Sequence, residues 1–358
     1  TSDNVLDVLM PEQNSFEDDP EVGDGLVLLD LAHDNNFKLP EIGALDSRLA
    51  ARGFEFLEYR GGDLARQLRG VSAFIVIAPL ANYTDAEIEA VKDFVADGGR
   101  LLLMGDPTRF TVDFVLDDAG FLVDFNFITN ELPLNDLANS FDISFEGDYL
   151  YNLTAEGSES NFRNIVVTDA QFASNSPLTD ELDTVVMYGA HSLEVGGSAL
   201  PLLHAGETTY SSATDRAGGR LIGAVSEDGQ VLALGDLTFM SEPYYTTLDN
   251  EHFIARIADF LTAEQNSGRT YELADFPYFM DGAIELNYVG EVDLGPGAFD
   301  DIISLQNSFA AVDRDLVLTA APSGDHHILH LGLYNQALTD DGVLSLLAEA
   351  GMELIIDP

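Results

Sequence analysis

A chain of 358 residues with 46% hydrophobic content has room for a buried core and for two domains. Its 63 acidic residues against 15 basic ones give a net charge of −48. That balance excludes nucleic acid and anionic membranes as direct partners, because affinity for phosphate comes from Lys and Arg. The absence of cysteine excludes disulfides, thiolate nucleophiles, zinc–thiolate sites and iron–sulfur clusters.

The acidity fits two settings, the salt-screened cytoplasm of a halophile and a cell surface bathed in divalent cations. No apolar run reaches the roughly 18–20 residues of a membrane helix. The chain opens on the polar Thr1, which reads as a processed or trimmed start. Residues 1–25 form an extended acidic segment, with Pro11, Pro20 and the run Glu17-Asp18-Asp19. It reads as a solvated tail, with a calcium-binding loop as the alternative.

Residues 26–263 read as an α/β domain. Leu26–Leu31 is a buried strand, followed by a helix over Glu41–Arg52 that ends at Gly53. Phe54–Tyr59 alternates as a strand, and Asp63–Arg69 is a short helix. Ser72–Leu80 is an apolar strand. Thr84 with Glu87 three residues on is a capping box, opening a helix with Ile88, Val91, Phe94 and Val95 on one face. Gly98 and Gly99 stop it, and Arg100–Met104 is the next strand. This alternation predicts a flavodoxin-like parallel sheet.

The spacing then predicts a helix over Thr111–Ala119, stopped by Gly120. A β-rich extension follows, with short strands at Phe121–Phe125, Phe141–Phe145, Tyr149–Leu153, Asn164–Thr168, Thr184–Tyr188, Leu200–His204, Arg220–Ser226 and Gln230–Leu234. Asn250–Leu261 closes the domain as an amphipathic helix, and Glu264–Arg269 is the linker. Residues 270–358 carry the order β-α-β-β-α-β, the split pattern of a small ferredoxin-like α+β domain. Its last helix is expected at Thr339–Ala350 and its last strand at Met352–Ile356.

In an open parallel sheet, ligands bind beyond the carboxyl ends of the strands. The loops leaving those ends carry Asp30, His33, Asn35 and Asn36, then Asp106 and Arg109, then Asp236 and Thr238. These are the candidate ligand residues. Asp30, Asp106 and Asp236 are the candidate metal ligands, with calcium as the ion that such oxygens take. The competing reading is that these aspartates pin their own turns. His326 and His330 share a strand face about 13 Å apart, too far for one ion, and His327 faces the other way. Asn82 and Asn152 each open an N-glycosylation sequon. The loops Pro243-Tyr244-Tyr245 and Pro277-Tyr278-Phe279-Met280 offer aromatic anchors for a protein interface, or wedges between the two domains.

Four stretches carry a family resemblance. They are Asp30…His33…Asn35-Asn36-Phe37; Tyr83-Thr84 through Gly98-Gly99 to Leu101–Asp106; Ser176-Pro177-Leu178-Thr179 with Ala190-His191-Ser192-Leu193; and Gly235-Asp236-Leu237-Thr238-Phe239 with Asn250 and Phe253. In this order the first 262 residues resemble the class I glutamine-amidotransferase-like domain that lacks its catalytic cysteine. Such domains occur in prokaryotic surface proteins, in the auxiliary protein of a gliding-motility ABC transporter and in an intraflagellar-transport protein. The resemblance implies a flavodoxin-like fold without amidotransferase chemistry, since Gly105-Asp106-Pro107 stands after the strand that would present the cysteine. The resulting expectation is a non-catalytic extracytoplasmic module that binds a protein partner or self-assembles. The alternatives are a structural component of a cell-surface layer or filament, and a metal- or carbohydrate-dependent enzyme at the Asp30/Asp106/Asp236 edge.

Overall fold

The computed structural model describes residues 16–263 apart from 24, 110, 117–119, 129–131 and 175, together with 283–289, 296–311, 314–319, 321, 323 and 327–332. The chain divides into two compact units, Thr1–Arg269 and Thr270–Pro358.

The first unit is built on runs of apolar residues long enough to cross a core. β1 (Gly25–Asp30) is buried along its whole length. A 3₁₀ turn at Leu39–Ile42 leads into α1 (Gly43–Ala51). β2 (Phe54–Tyr59) is the edge strand, buried at Phe54 and Tyr59 and more exposed between them. Then come α2 (Leu64–Leu68), capped by Asp63, and β3 (Ala73–Ile77). α3 (Asp85–Ala96) starts at the predicted capping box: Thr84 Oγ1 accepts from Glu87 N–H (3.3 Å) and Glu87 Oε2 accepts from Thr84 N–H (2.9 Å). β4 (Arg100–Met104) follows.

The helix expected at 111–119 is instead a strand. β5 (Thr111–Leu116) pairs antiparallel with β6 (Leu122–Ile128), and Gly120 takes φ +82° in the connection. The reason is local: Thr111-Val112-Asp113-Phe114-Val115 is rich in β-branched and aromatic residues, which favour a strand over a helix.

α4 (Leu134–Ala138) then precedes a series of short strands: β7 (Ile143–Phe145), β8 (Leu150–Asn152), β9 (Asn164–Thr168), β10 (Thr184–Tyr188) and β11 (Leu193–Val195). The series continues with β12 (Ala199–Ala205), β13 (Thr209–Ser211), β14 (Arg216–Ala217), β15 (Arg220–Ser226) and β16 (Val231–Leu234). α5 (Asn250–Thr262) ends the unit.

Among the described residues the main sheet runs β2-β1-β3-β4-β16-β15-β11-β7, with β12 also paired to β15. The first five strands are mutually parallel; β15, β11, β7 and β12 extend the sheet through antiparallel pairs. Both faces of the parallel part are buried, and alternate residues feed two different cores. Val27, Leu29, Ile75, Leu102 and Leu232 pack with α1 and α5 on one face. Leu26, Leu28, Phe74, Leu101 and Val231 pack with α2, α3 and α4 on the other. This double burial is why β1, β3, β4 and β16 read as continuous apolar runs.

Two expectations for the termini change. Residues 16–23 are not a free tail. Asp18, nearly buried, bonds the Arg52 guanidinium through both oxygens (3.0 Å each) and also Arg48 (2.9 Å). Phe16 stacks on His252 with centroids 4.2 Å apart.

The second unit contains β17 (Ala283–Val289), α6 (Pro296–Ala310), β18 (Asp315–Thr319) and β19 (His327–Gly332). Its strand–helix–strand order is as expected, but the ferredoxin-like pairing is not. A split β-α-β-β-α-β sheet inserts its third strand between the first and the second, antiparallel to both. Here β18 and β19 lie on opposite sides of β17, and both run parallel to it. The short β18–β19 connection reads as a hairpin only if the two strands are neighbours, and they are not. The expected Thr339–Ala350 helix and Met352–Ile356 strand lie outside the described residues.

Candidate functional site

The strand-end loops do come to the carboxyl edge of the parallel sheet, where they form two buried knots. The first is centred on Asp30, at the end of β1 and fully buried. Its Oδ1 accepts from Ala32 N–H (3.1 Å), and His33 Nδ1 lies 3.0 Å from Oδ1 and 3.1 Å from Oδ2. Asn35 Nδ2 donates to Asp30 Oδ2 (3.2 Å) and to the Ile77 carbonyl (2.9 Å), tying the β1 loop to β3. Tyr83 O–H donates a short bond to Asp30 Oδ2, and its ring stacks on His33 with centroids 3.7 Å apart.

The far side of the imidazole meets Glu87, with Nε2 and Oε1 3.4 Å apart. Glu87 in turn accepts from Tyr59 O–H (3.0 Å) and from Thr84. Burial opposes a charge on His33, but the bonds and charges of Asp30 and Glu87 outweigh it and raise its pKa above the ordinary imidazole value. Glu87 is held below the usual carboxylate range: burial works against this, and the Thr84, Tyr59 and His33 contacts prevail. Burial and the nearby carboxylates push the Tyr59 and Tyr83 phenols up. Asp30 and Glu87 thus flank the His33 imidazole and favour its protonated form, with the Tyr59 and Tyr83 phenols beside it.

The second knot joins Asp106, after β4, to Asp236, after β16. Asp106 Oδ1 accepts from Thr108 N–H (2.8 Å) and Thr108 O–H (2.5 Å), and its Oδ2 accepts from Thr238 O–H (2.7 Å). Asp236 accepts from Thr238 N–H (2.8 Å) and from Tyr188 N–H (2.5 Å). Burial, together with the neighbouring Asp106 charge, pushes the Asp236 carboxyl up to about 8. Arg109 pairs with Glu41 (2.6 Å), and its backbone carbonyl accepts from Asn36 Nδ2 (3.2 Å). Asn36 and Arg109 thus bridge the β1 and β4 loops.

This geometry does not bring the three aspartates together as one set of metal ligands. Among the described residues no three His, Asp or Glu are grouped as metal ligands. Asp30 belongs to the first knot, while Asp106 and Asp236 belong to the second. Each oxygen of all three carboxylates already accepts a hydrogen bond within the fold. The alternative holds, that aspartates after strands pin their own turns.

Asn152 is also withdrawn as a glycosylation candidate. It is buried, its Nδ2 donates to Thr208 and Thr209, and its Oδ1 accepts from Thr154. Asn82 is exposed. His327 is exposed on β19, and His326 lies outside the described residues.

Sequence reasoning missed Tyr59, Tyr83 and Glu87, whose roles depend on contacts between separate elements. It also missed a buried cluster on Asp148. Ser192 O–H (2.8 Å) and Ser211 O–H (2.5 Å) donate to the Asp148 carboxylate, and His191 Nδ1 lies 2.8 Å from the Asp148 backbone carbonyl. The carboxylate meets the serine directly and the imidazole meets only the main chain, so the three do not form a nucleophile–base–acid relay. Burial lowers the His191 pKa. His191 also packs on the turn after β4: a Cβ on Gly105 would lie 3.0 Å from its Cδ2.

Comparison with solved structures places the fold. The N-terminal domain of mmIFT52 is 18% identical, with a TM-score of 0.52 over 66% of this chain and 98% of that one. A ThuA-like protein from Bacteroides uniformis is 10% identical, with a TM-score of 0.42 over 71% of this chain and 98% of that one. A GMP synthase protein from Thermoplasma acidophilum is 9% identical, with a TM-score of 0.36 over 67% and 95%. A search of curated proteins finds no match. The fold is α/β with a mainly parallel central sheet, and it is shared with the mmIFT52 N-terminal domain. A family model described as a domain of unknown function, DUF4350, matches residues 42–258. That match covers more than half of the sequence, and the chain belongs to the DUF4350 family.

Proposed function

We propose that this chain is a non-catalytic binding or assembly module that works outside the cytoplasm. The observation that carries the reading is the direction its polar groups face. Asp30, His33, Asp106 and Asp236 sit where such folds place their chemistry, yet all are buried and bonded to one another or to the backbone. Large aromatic and aliphatic side chains are left on the surface, among them Tyr149, Leu153 and Phe162. Tyr and Phe are the residue types that anchor protein interfaces. The lack of any cysteine removes the amidotransferase nucleophile. The extracytoplasmic setting, and a role like that of the cysteine-less domains of gliding-motility and intraflagellar-transport proteins, rest on the sequence resemblance.

The test is light scattering on the purified chain across salt and calcium, with electron micrographs of the same samples. Concentration-dependent assembly, or capture of a protein partner that persists in the Asp106→Ala variant, is the expected result. Hydrolase or amidase activity that disappears in Asp106→Ala would overturn the reading in favour of an enzyme.

A further inference from the structure

The short three-stranded sheet β14-β13-β8 has a polar inner face and an aromatic outer one. Asn152, Thr209 and Ser211 point inward and are buried. Tyr151 and Tyr210 are a cross-strand pair on the outer face, with ring centroids 5.2 Å apart and planes at 15°. Tyr149 and Phe162 flank Tyr151, at 6.1 and 6.4 Å between centroids. Phe162 is 50% exposed and Leu153 71%, so the patch is open to solvent.

This patch already holds one cation. The Arg163 guanidinium lies 4.5 Å from the centre of the Tyr149 ring. The Asp215 carboxylate accepts from Tyr151 O–H (3.1 Å) at the rim.

An acidic cleft of about 470 Å³ adjoins the patch. It is lined by Glu146, Asp148, Glu194, Ser211, Thr214 and Arg220. The connection is direct: Tyr149 follows Asp148 in the chain, and its N–H and carbonyl both bond Ser212, between Ser211 and Thr214. Glu146 is crowded by the like charges of Glu194 and Asp148, which with burial raise its pKa. Arg220 offsets only part of the charge of Glu146, Glu194 and Asp148, so aromatic faces and an excess of carboxylates lie side by side on a chain of net charge −48, and both are complementary to a cation.

We propose that the Tyr149/Tyr151/Tyr210 patch and the Glu146/Glu194 cleft form one docking surface for an arginine-bearing segment of a protein partner. A guanidinium stacks on the tyrosine rings, as Arg163 does on Tyr149, while a neighbouring basic group enters the cleft. Arginine suits both halves, because its planar cation stacks on rings and bonds carboxylates through paired N–H groups. This inference rests on the reading of the chain as a binding module and names the chemistry of its partner.

The probe is a blocked peptide alternating arginine with serine, titrated in about 1 M salt, where the Debye length falls to about 3 Å and the general acidic field is screened. The control is the same peptide with citrulline, which keeps the shape and removes the charge. The chain lacks tryptophan, so its emission comes from its 12 tyrosines, and the part of the binding signal lost in the Tyr151/Tyr210 variant is what the patch contributes. Saturable binding of the arginine peptide alone is expected. It should weaken about tenfold or more, roughly 1.4 kcal/mol, in Tyr151→Ser/Tyr210→Ser and again in Glu146→Gln/Glu194→Gln. The second variant carries the test if the first does not fold.

Equal binding of the citrulline peptide, no binding of either peptide, or equal binding by wild type and both variants would each overturn the proposal. So would capture of a neutral oligosaccharide by the patch in place of the peptide. None of these bears on self-assembly, which the scattering experiment decides separately.

Discussion

Buried titratable groups set the pH dependence of the first unit: Asp236 and His33 act in one direction, and His191 and His252, whose pKa values burial lowers, oppose them below 6.5. Asp236 has its carboxyl pushed up to about 8, against 3.8 for the ordinary group. Between those values the folded chain holds a proton that the unfolded chain has released, so stability falls as pH rises through that window. His33 is raised above 6.5, so its contribution is fully present below that value and is lost as pH rises through its folded value. Asp18 and Glu87 are lowered, and their contribution is lost only as pH falls below the ordinary carboxylate range. Urea melts from pH 4 to 9 are expected to show greatest stability between roughly pH 4.5 and 6.5. Asp236→Asn cannot ionise, so its stability should vary less from pH 5 to 8 than that of the wild type. It should also lose about 1–3 kcal/mol at pH 5, because Asn offers one oxygen to the two backbone N–H donors that Asp236 now satisfies. Tyr83→Phe removes one donor from the buried Asp30 and is expected to cost a similar 1–3 kcal/mol. An unchanged melt in that variant would mean that the Tyr83–Asp30 bond adds nothing net.

Among the elements, the 16–23 segment and the β5–β6 pair show what a one-dimensional pattern conveys and what it omits. Asp18 holds the segment down, and Gly23 N–H donates to the Arg52 carbonyl (2.9 Å). Asp18→Asn should therefore speed hydrogen exchange at Gly23. It should cost about 2 kcal/mol, less than the 3–5 of a fully broken buried pair, because Arg52 keeps Asp259. Exchange at Gly23 as slow as in the wild type would mean that the segment is anchored elsewhere. The parallel core was legible because burial on both faces leaves an unbroken apolar run, as in Phe74-Ile75-Val76-Ile77. The α3 cap was legible because a capping box is a local signal. Thr111–Leu116 misled because the apolar residues Val112, Phe114, Val115 and Leu116, with Gly120 beyond them, fit the spacing of a short helix as well as that of a strand. The parallel order of β18, β17 and β19 had no local signature at all. The same divide runs through the candidate site. Asp30, His33 and Asn35 are neighbours in sequence and were visible together. Tyr59, Tyr83 and Glu87 reach the knot from two other elements, and only the folded sheet brings them there.

For the whole molecule the governing quantity is the charge of −48 and how little of it is offset. Several of the 15 basic residues are already spent on local ion pairs, including Arg48 and Arg52 with Asp18, Arg109 with Glu41 and Arg256 with Glu181. What remains is a surface of one sign that repels itself in the compact state more than in the expanded one. Monovalent salt should therefore stabilise the chain. Raising it from about 0.01 M to about 1 M cuts the Debye length from about 30 Å to about 3 Å and removes most repulsion between exposed carboxylates. The thermal midpoint is expected to climb steadily over that range and to fall again on desalting. Calcium separates two causes of such a rise. The described carboxylates that resemble ligands are consumed by internal hydrogen bonds, so millimolar calcium should act only as a counter-ion, matching monovalent salt of equal ionic strength. A calcium response that saturates at low concentration and is reversed by EDTA would instead locate a specific ion site on this acidic surface. The electrostatic account would then need a bound cation in addition to screening. A midpoint that does not move with salt would mean that the surface charges lie too far apart to strain the fold, and that the acidity serves contact with other molecules rather than tolerance of salt.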